Sequence, residues 1–119
     1  MSDKKVTIQE LKDTLSKFVK ERDWEQFHSP KNLTMSIAIE AAELMEKFQW
    51  LDVEQSKNEI IKNKKEIEEE IADITAYILS LCNLYNIDLS DAIIHKMELN
   101  AKKYPVEKSK GKADKYTKI

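Results

Sequence analysis

The near absence of glycine and proline is the sequence feature that most limits what this chain can fold into. Its 119 residues include one glycine, Gly111, and two prolines, Pro30 and Pro105. Glycine supplies the positive φ angles of tight hairpins and phosphate-binding loops, so the glycine-rich nucleotide-binding fingerprints cannot be built here. Any phosphate would have to be bound through a metal ion and cationic side chains. The rest of the composition is rich in Lys, Glu, Ile, Leu and Ala, which favours helices.

Four main helices are predicted from the spacing of the apolar residues, which recur at steps of three and four. They cover about residues 8–24, 33–49, 64–85 and 89–104. Residues 52–63 are polar, and we expect a loop there with a short helical piece around residues 58–62. No segment has the alternation of a strand. The pattern therefore predicts an all-α fold, a four-helix bundle.

The second predicted helix is apolar on nearly every side, which is typical of a buried helix. One thin bundle of four helices cannot cover such a surface, so we expect the protein to be a homo-oligomer. The length suits one domain, which we place at residues 1–105. Residues 106–119 carry five lysines against Glu107 and Asp114. This basic tail is expected to be disordered or loosely docked.

Charge and cysteine content exclude several classes of function. The net charge of −2 gives no global field that would recruit nucleic acid or an anionic membrane. Cys82 is the single cysteine, which excludes an internal disulfide and fits a reducing compartment. With only His28 and His95 beside it, a Cys/His zinc site is also excluded. The N-terminus has no apolar signal segment and no apolar run approaches about 18 residues, so a cytoplasmic protein is expected.

Two pairs of acidic residues point to a metal site. Glu40 and Glu43 form one pair and Glu70 and Asp73 the other, each with the three-residue spacing that places both side chains on one helix face. Most E-x-x-E pairs are surface charge, but both of these are set in apolar surfaces. Four unpaired acids cannot share such a pocket without a cation. Hard carboxylate oxygens select Mg²⁺, with Mn²⁺ as the alternative, over zinc or copper.

The segment between the first two helices is aromatic and polar at once. Trp24 and His28 lie in it. One interpretation is a helix end plugged by a tryptophan, and the other is a stacking wall for a flat ligand such as a base.

A carboxylate cage around Mg²⁺ suggests phosphoryl chemistry, because Mg²⁺ is commonly bound by carboxylates together with substrate phosphates.

The motifs together resemble a known family. An E-x-x-E motif is followed by an E-x-x-D motif, and residues 44–69 form the spacer between them. Four further segments accompany these motifs: ERDWEQFH at 21–28, FQW at 48–50, KMELN at 96–100 and KYP at 103–105. Over residues 18–105 the chain is similar to the MazG-like, all-α nucleoside triphosphate pyrophosphohydrolases, and most similar to their dCTP pyrophosphatase branch. The resemblance implies hydrolysis between the α and β phosphates, giving a nucleoside monophosphate and pyrophosphate. It also implies a homodimer or homotetramer.

The resemblance assigns roles to individual residues. The metal-binding and catalytic positions are Glu40, Glu43, Glu70 and Asp73. The positions that bind the base are Trp24, His28 and Trp50, and Tyr77 borders the sugar. The positions on the phosphate and sugar side are Lys96, Asn100, Lys103 and Tyr104.

The predicted function is a Mg²⁺-dependent pyrophosphohydrolase that acts on deoxynucleoside triphosphates, dCTP or a modified dCTP first, and that serves nucleotide-pool housekeeping. One alternative is the same reaction on dUTP or on a broad range of nucleotides. A further alternative is a non-catalytic, acidic helical module that binds a metal ion and a partner protein.

Overall fold

A computed structural model describes all 119 residues and contains helices but no strand, which confirms the predicted all-α class. The α-helices are α1 (Ile8–Glu21), α2 (Pro30–Glu46), α3 (Val53–Lys62), α4 (Lys64–Leu84), α5 (Leu89–Lys103) and α6 (Val106–Ser109). Short 3-10 turns occur at Ser2–Lys4, Glu25–Phe27 and Tyr116–Lys118. None of the helices combines the length and the apolar character that a membrane crossing requires.

Side-chain caps fix where four of the helices begin. In each case a short polar side chain before the helix accepts a hydrogen bond from a backbone N–H of the first turn, which satisfies a donor that has no partner inside the helix. The capping residues are Thr7 for α1, Ser29 for α2, Asp52 for α3 and Asp88 for α5.

The helical piece expected around residues 58–62 is confirmed, but the loop expected over the rest of residues 52–63 is wrong, because α3 occupies most of it. Asp52 and Gln55 form a complete capping box, with each side chain bonded to the other residue's backbone N–H. Good helix formers follow, and α3 buries none of its residues. This helix is thus stabilised mainly by its N-terminal cap and by the helix propensity of its residues. The apolar spacing that indicated the other helices therefore gives little signal here.

Two helix boundaries also differ from the expectation. α1 ends at Glu21 rather than near Trp24, because Asp23 has a left-handed φ of 53° that an α-helix cannot continue through. α2 begins at Pro30 rather than Leu33, with proline in the first turn, where its missing N–H costs nothing.

The chain divides into two compact units, Met1–Asn86 and Ile87–Ile119. In the first unit α4 is the central helix: it packs against α1, α2 and α3, and its interface with α2 is the most extensive. The buried apolar side chains come from α1, α2 and α4, and they are Val19, Leu33, Ile67, Leu79 and Cys82. This α2–α4 interface positions the acidic residues described below.

In the single chain the apolar surface of α2 is largely uncovered, as expected for a surface that one thin bundle cannot cover. Only Leu33 of α2 is buried, while Met35, Ile39 and Met45 are each more than half exposed. The reason is that α4 is the one helix with which α2 packs extensively, so the other sides of α2 remain uncovered. The oligomer proposed to cover them stays a prediction.

Lys12 is the opposite case, because it is a charged residue of α1 that the structure buries. Lys12 is buried, and its backbone carbonyl accepts a hydrogen bond of 2.9 Å from the side-chain amide of Asn83 on α4. Long aliphatic stems of lysines can pack along apolar surfaces. The packing of α1 against α4 therefore includes a position that periodicity assigns to solvent.

In the second unit, α5 buries none of its residues and is followed at once by α6. Gly111 then takes a φ of 76°, a left-handed conformation that favours glycine. The chain ends in the 3-10 turn at Tyr116–Lys118. The domain boundary expected at residue 105 stays a prediction.

Candidate active site

Three carboxylates from two helices converge at the α2–α4 interface. α2 contributes Glu40 and Glu43, which lie three residues apart on one face, and α4 contributes Glu70. One oxygen from each side chain lies within 4.8 Å of the others. Glu40 and Glu70 are half-buried and Glu43 is exposed. The cluster is therefore open on one side.

The charges in this cluster are not neutralised by the protein. None of the ion pairs in the chain involves Glu40, Glu43 or Glu70. The Oε2 atom of Glu70 is buried and has no hydrogen-bond partner. The pKa of Glu40 is raised from 4.5 to about 7, first by a hydrogen bond with Glu70, then by burial, and then by Glu43. Near neutral pH Glu40 is therefore only partly deprotonated, and a cation bound at the cluster favours its deprotonated form.

A divalent cation fits these residues. The buried, unpartnered oxygen of Glu70 lacks a positive partner, and the two glutamates of α2 supply further oxygens beside it. An all-oxygen, all-carboxylate donor set suits hard cations such as Mg²⁺ or Mn²⁺. Asp73, the fourth residue assigned to the metal, is exposed on α4 and does not belong to the converging group. The structure thus brings together three of the four acids.

A cavity of about 280 Å³ lies near the C-terminal end of α4. Its lining residues come from α1, from the segment after α1 and from α4, and they are Leu15, Ser16, Val19, Lys20, Glu25, His28, Ser80, Asn83 and Leu84. The floor is apolar, and the polar groups include one lysine, one glutamate, one histidine, two hydroxyls and one amide. Such a mixture is typical of a pocket for a small, partly polar ligand.

The carboxylates and the cavity share one face of α4. Residues 70, 73, 77 and 80 are spaced by three, four and three, which keeps their side chains on one side of a helix. Ten residues separate Glu70 from Ser80, a rise of about 15 Å along the helix. Tyr77, half-buried, lies between them. An elongated ligand lying along this face could reach both features.

Sequence reasoning assigned His28 to the site but missed most of the cavity. Ser80 and Asn83 belong to no motif, and Lys20 and Glu25 are ordinary charges in the sequence. The one available signal was the continuation of the spacing from Glu70 through Tyr77 to Ser80.

Trp24 directly precedes the cavity residue Glu25 in the sequence, and its side chain packs on the end of α1. Its ring meets Phe18 edge-on with the centroids 5.6 Å apart, and the guanidinium of Arg22 lies 3.8 Å from the Phe18 centroid. Trp24 is still 44% exposed, so part of the indole remains available to a ligand. Trp50, which follows α2, is 87% exposed and does not line the cavity.

The residues assigned to the phosphate side are all in the second unit. Lys96 is exposed and Asn100 is half-buried on α5. Lys103 and Tyr104, at the end of α5, both contact the ring of Tyr116. The structure thus groups the last two with a C-terminal residue that the sequence analysis did not single out.

Comparison with known proteins identifies the family. The profile of the MazG-like family matches residues 35–119, which is well over half of the chain and includes all three converging glutamates. The chain belongs to the MazG-like family.

Relatives and solved structures agree with this assignment. The MazG-like chain is 38% identical over 115 residues to dCTP pyrophosphatase 1 of Mus musculus, which covers 95% of the chain and 68% of the mouse protein. The human dCTP pyrophosphatase 1 is 33% identical over the same shares of the two proteins. A crystal structure of a pyrophosphatase from Archaeoglobus fulgidus has 45% identity and a TM-score of 0.79, covering 82% of this chain and 91% of that one.

These similarities confirm the predicted family, its all-α fold and the enzyme class. This MazG-like protein is a hydrolase of the nucleoside triphosphate pyrophosphatase class. Pyrophosphatases of the family generally use divalent metal ions, and the glutamate cluster supplies ligands suited to one.

Proposed function

We propose that the chain is a Mg²⁺-dependent pyrophosphohydrolase that converts dCTP or a modified dCTP to the monophosphate and pyrophosphate. The observation that carries this proposal is the convergence of Glu40, Glu43 and Glu70 around a buried, unpartnered oxygen. The names of the mouse and human relatives support the choice of dCTP. The cellular role would be housekeeping of the nucleotide pool.

The four acids divide into two groups in this proposal. Glu40, Glu43 and Glu70 hold the metal, and Asp73, one turn further along α4, completes the set when the ion and the nucleotide are bound. A bound divalent cation supplies charge neutralisation at the phosphates and lowers the pKa of water near it. The role of the protein is to hold the acids oriented toward the α-phosphate.

The reaction consumes one water molecule. Its oxygen forms a bond to the α-phosphorus, while the bond from that phosphorus to the oxygen bridging the α and β phosphates breaks. Pyrophosphate leaves with that bridging oxygen. A carboxylate that is not fully used as a ligand accepts the proton of the attacking water. Lys96, Asn100 and Lys103 would bind the phosphates, and Tyr104 would face the sugar.

The cavity beside α4 is the proposed seat of the base, with Trp24 and His28 at its entrance. Cytosine offers an exocyclic amine as donor and a carbonyl as acceptor. The carboxylate of Glu25 suits the amine, and Lys20 suits the carbonyl. Asn83 donates through Nδ2 to the carbonyl of Lys12, which orients the amide and leaves Oδ1 as an acceptor. This donor and acceptor set favours cytosine over uracil, which lacks the amine.

The test is pyrophosphate release from dCTP, 5-methyl-dCTP, dUTP and the other nucleoside triphosphates, measured with Mg²⁺, with Mn²⁺ and with EDTA. We expect pyrophosphate and monophosphate in equal amounts, fastest from a cytosine nucleotide and absent with EDTA. Fastest turnover of dUTP, or equal rates on all bases, would contradict the proposed preference for cytosine nucleotides. Release of inorganic phosphate would show that another bond is cut. No turnover on any nucleotide would favour a non-catalytic module that binds metal and a partner.

A further inference from the structure

The C-terminal segment, residues 106–119, returns to the end of the helix that precedes it. α6 adds one turn after Pro105, and Gly111, at a φ of 76°, allows the change of direction that follows. The ring of Tyr116 then meets Tyr104 edge-on, with centroids 5.9 Å apart and an interplanar angle of 83°. Nζ of Lys103 lies 5.0 Å from the centroid of the same ring.

This returning segment and the end of α5 that it meets are together strongly basic in a chain that is otherwise acidic. Seven lysines but only two acidic residues lie between Lys102 and Ile119, while the whole chain has a net charge of −2. None of the seven takes part in an ion pair in the structure. Like charges brought close together repel one another, so such a cluster is more stable when an anion lies against it.

We infer that Tyr116 is a positioning residue, which holds the basic segment against the end of α5 so that both bind the phosphate chain of the nucleotide. The inference rests on the proposed function, because Lys103 and Tyr104 are the residues assigned there to phosphate and sugar. A cation–π contact stabilises the ammonium of Lys103 without neutralising it. Its charge therefore remains available to a phosphate, and lysine binds phosphate as a point charge.

A nucleotide fits this basic segment better than a nucleic acid does. Affinity for nucleic acid grows with the number of phosphates that are neutralised along the polymer. Here the excess of cations over anions is confined to one short stretch and the rest of the chain has a net negative charge, so a long polyanion would be repelled beyond it. A triphosphate concentrates several negative charges in a small volume, which matches a short cluster of lysines.

The first experiment compares Tyr116→Ala and Tyr116→Phe in the full-length protein, with dCTP and Mg²⁺. The alanine variant loses both ring contacts, so we expect the KM to rise about three- to tenfold while kcat stays within about twofold. The phenylalanine variant keeps the ring, and it should restore a KM within about twofold of wild type. A purely structural role would lower the amount of active enzyme, and hence kcat, instead.

The second experiment separates the phosphates from the base. Pyrophosphate and 2′-deoxycytidine are used as competitive inhibitors of the wild type, of Tyr116→Ala and of the double variant Lys115→Gln/Lys118→Gln. We expect the inhibition constant of pyrophosphate to rise in parallel with KM, and that of deoxycytidine to stay unchanged. Lys4→Gln/Lys5→Gln is the matched control, because it also removes two neighbouring exposed lysines, and it should behave as wild type.

The outcomes distinguish this inference from the proposed function. A wild type that turns over dCTP, together with unchanged KM and pyrophosphate inhibition in Tyr116→Ala, would overturn the inference alone. An equal loss of pyrophosphate and deoxycytidine binding would also overturn it, since the segment would then act on the whole site. A wild type that hydrolyses no nucleotide would overturn the proposed function.

Discussion

The glutamate cluster and the basic C-terminal segment are two charged regions of opposite sign that the fold builds in different ways. Glu40 and Glu70 are thirty residues apart in sequence, and only the packing of α2 on α4 brings their carboxylates together. Lys103 and Tyr116 are thirteen residues apart, and one turn and one glycine bring them into contact. The acidic site therefore depends on tertiary structure, whereas the basic one is largely local. Substitutions in the two regions should affect different kinetic constants.

The largest effect is expected from Glu43→Gln. The substitution removes a charge from the metal site while keeping the size of the side chain, so kcat should fall by about 100-fold or more. Glu43 is exposed, so the melting temperature of the metal-free protein should hardly change. Glu46→Gln is the matched control, because Glu46 is exposed one turn further along α2. A Glu43→Gln enzyme with full activity would show that the cluster is not catalytic.

A smaller effect, confined to nucleotide binding, is expected from Trp24→Ala. Loss of a stacked aromatic weakens the binding of a base by about 1–3 kcal/mol, so the Kd for a non-hydrolysable dCTP analogue should rise about fivefold or more. The affinity for Mn²⁺, measured without nucleotide by calorimetry, should be unchanged. A parallel loss of Mn²⁺ affinity would mean that Trp24 supports the metal site through the fold and does not bind the base.

Asn83→Ala should change the preference between bases without removing a metal ligand. If Oδ1 accepts from the amine of cytosine, the preference for dCTP over dUTP in kcat/KM should fall, by about tenfold for one lost hydrogen bond. The variant also loses the hydrogen bond to the carbonyl of Lys12, so its free energy of unfolding is expected to fall by about 1 kcal/mol. An unchanged preference in a folded variant would place the base elsewhere.

The smallest effect concerns pH. The pKa of Glu40 is raised from 4.5 to about 7, mainly by its hydrogen bond with Glu70. The folded, metal-free protein therefore binds more protons than the unfolded chain between about pH 4.5 and 7, and its stability falls as the pH rises through this range. Thermal melting from pH 4.5 to 8 measures this slope, and Glu40→Gln should reduce it. With saturating Mg²⁺ this slope should disappear, because the ion binds the deprotonated cluster and the folded protein then carries no extra proton above about pH 4.5.

Local chemistry explains which parts of the fold could be predicted from the sequence. The apolar spacing predicted α1, α2, α4 and α5, because this signal is contained within a few turns of each helix. Only the last part of α3 was expected, because its start depends on a capping box and its surface is mostly polar. The lining of the cavity was missed because α1 and α4 meet there through long-range packing.

The candidate site was predictable to the extent that helix geometry determines it. The three-residue spacing puts Glu40 and Glu43 on one face, and the family resemblance pairs them with Glu70. The position of Asp73 outside the converging group could not be predicted, because it depends on how α4 is rotated against α2. The exposure of Ile93, Ile94 and Met97 on α5 likewise reflects tertiary packing, and the homo-oligomer that would cover such surfaces stays a prediction.

The unequal exposure of the two tryptophans has a practical consequence. Trp24, packed on Phe18 and directly before the cavity residue Glu25, and Trp50, almost fully exposed after α2, are the only indoles in the chain. Their fluorescence should therefore consist of a partly shielded component and a red-shifted one that soluble quenchers reach freely. The protein carries its own pair of optical reporters, one at the proposed base pocket and one at the far end of α2, and neither requires a label.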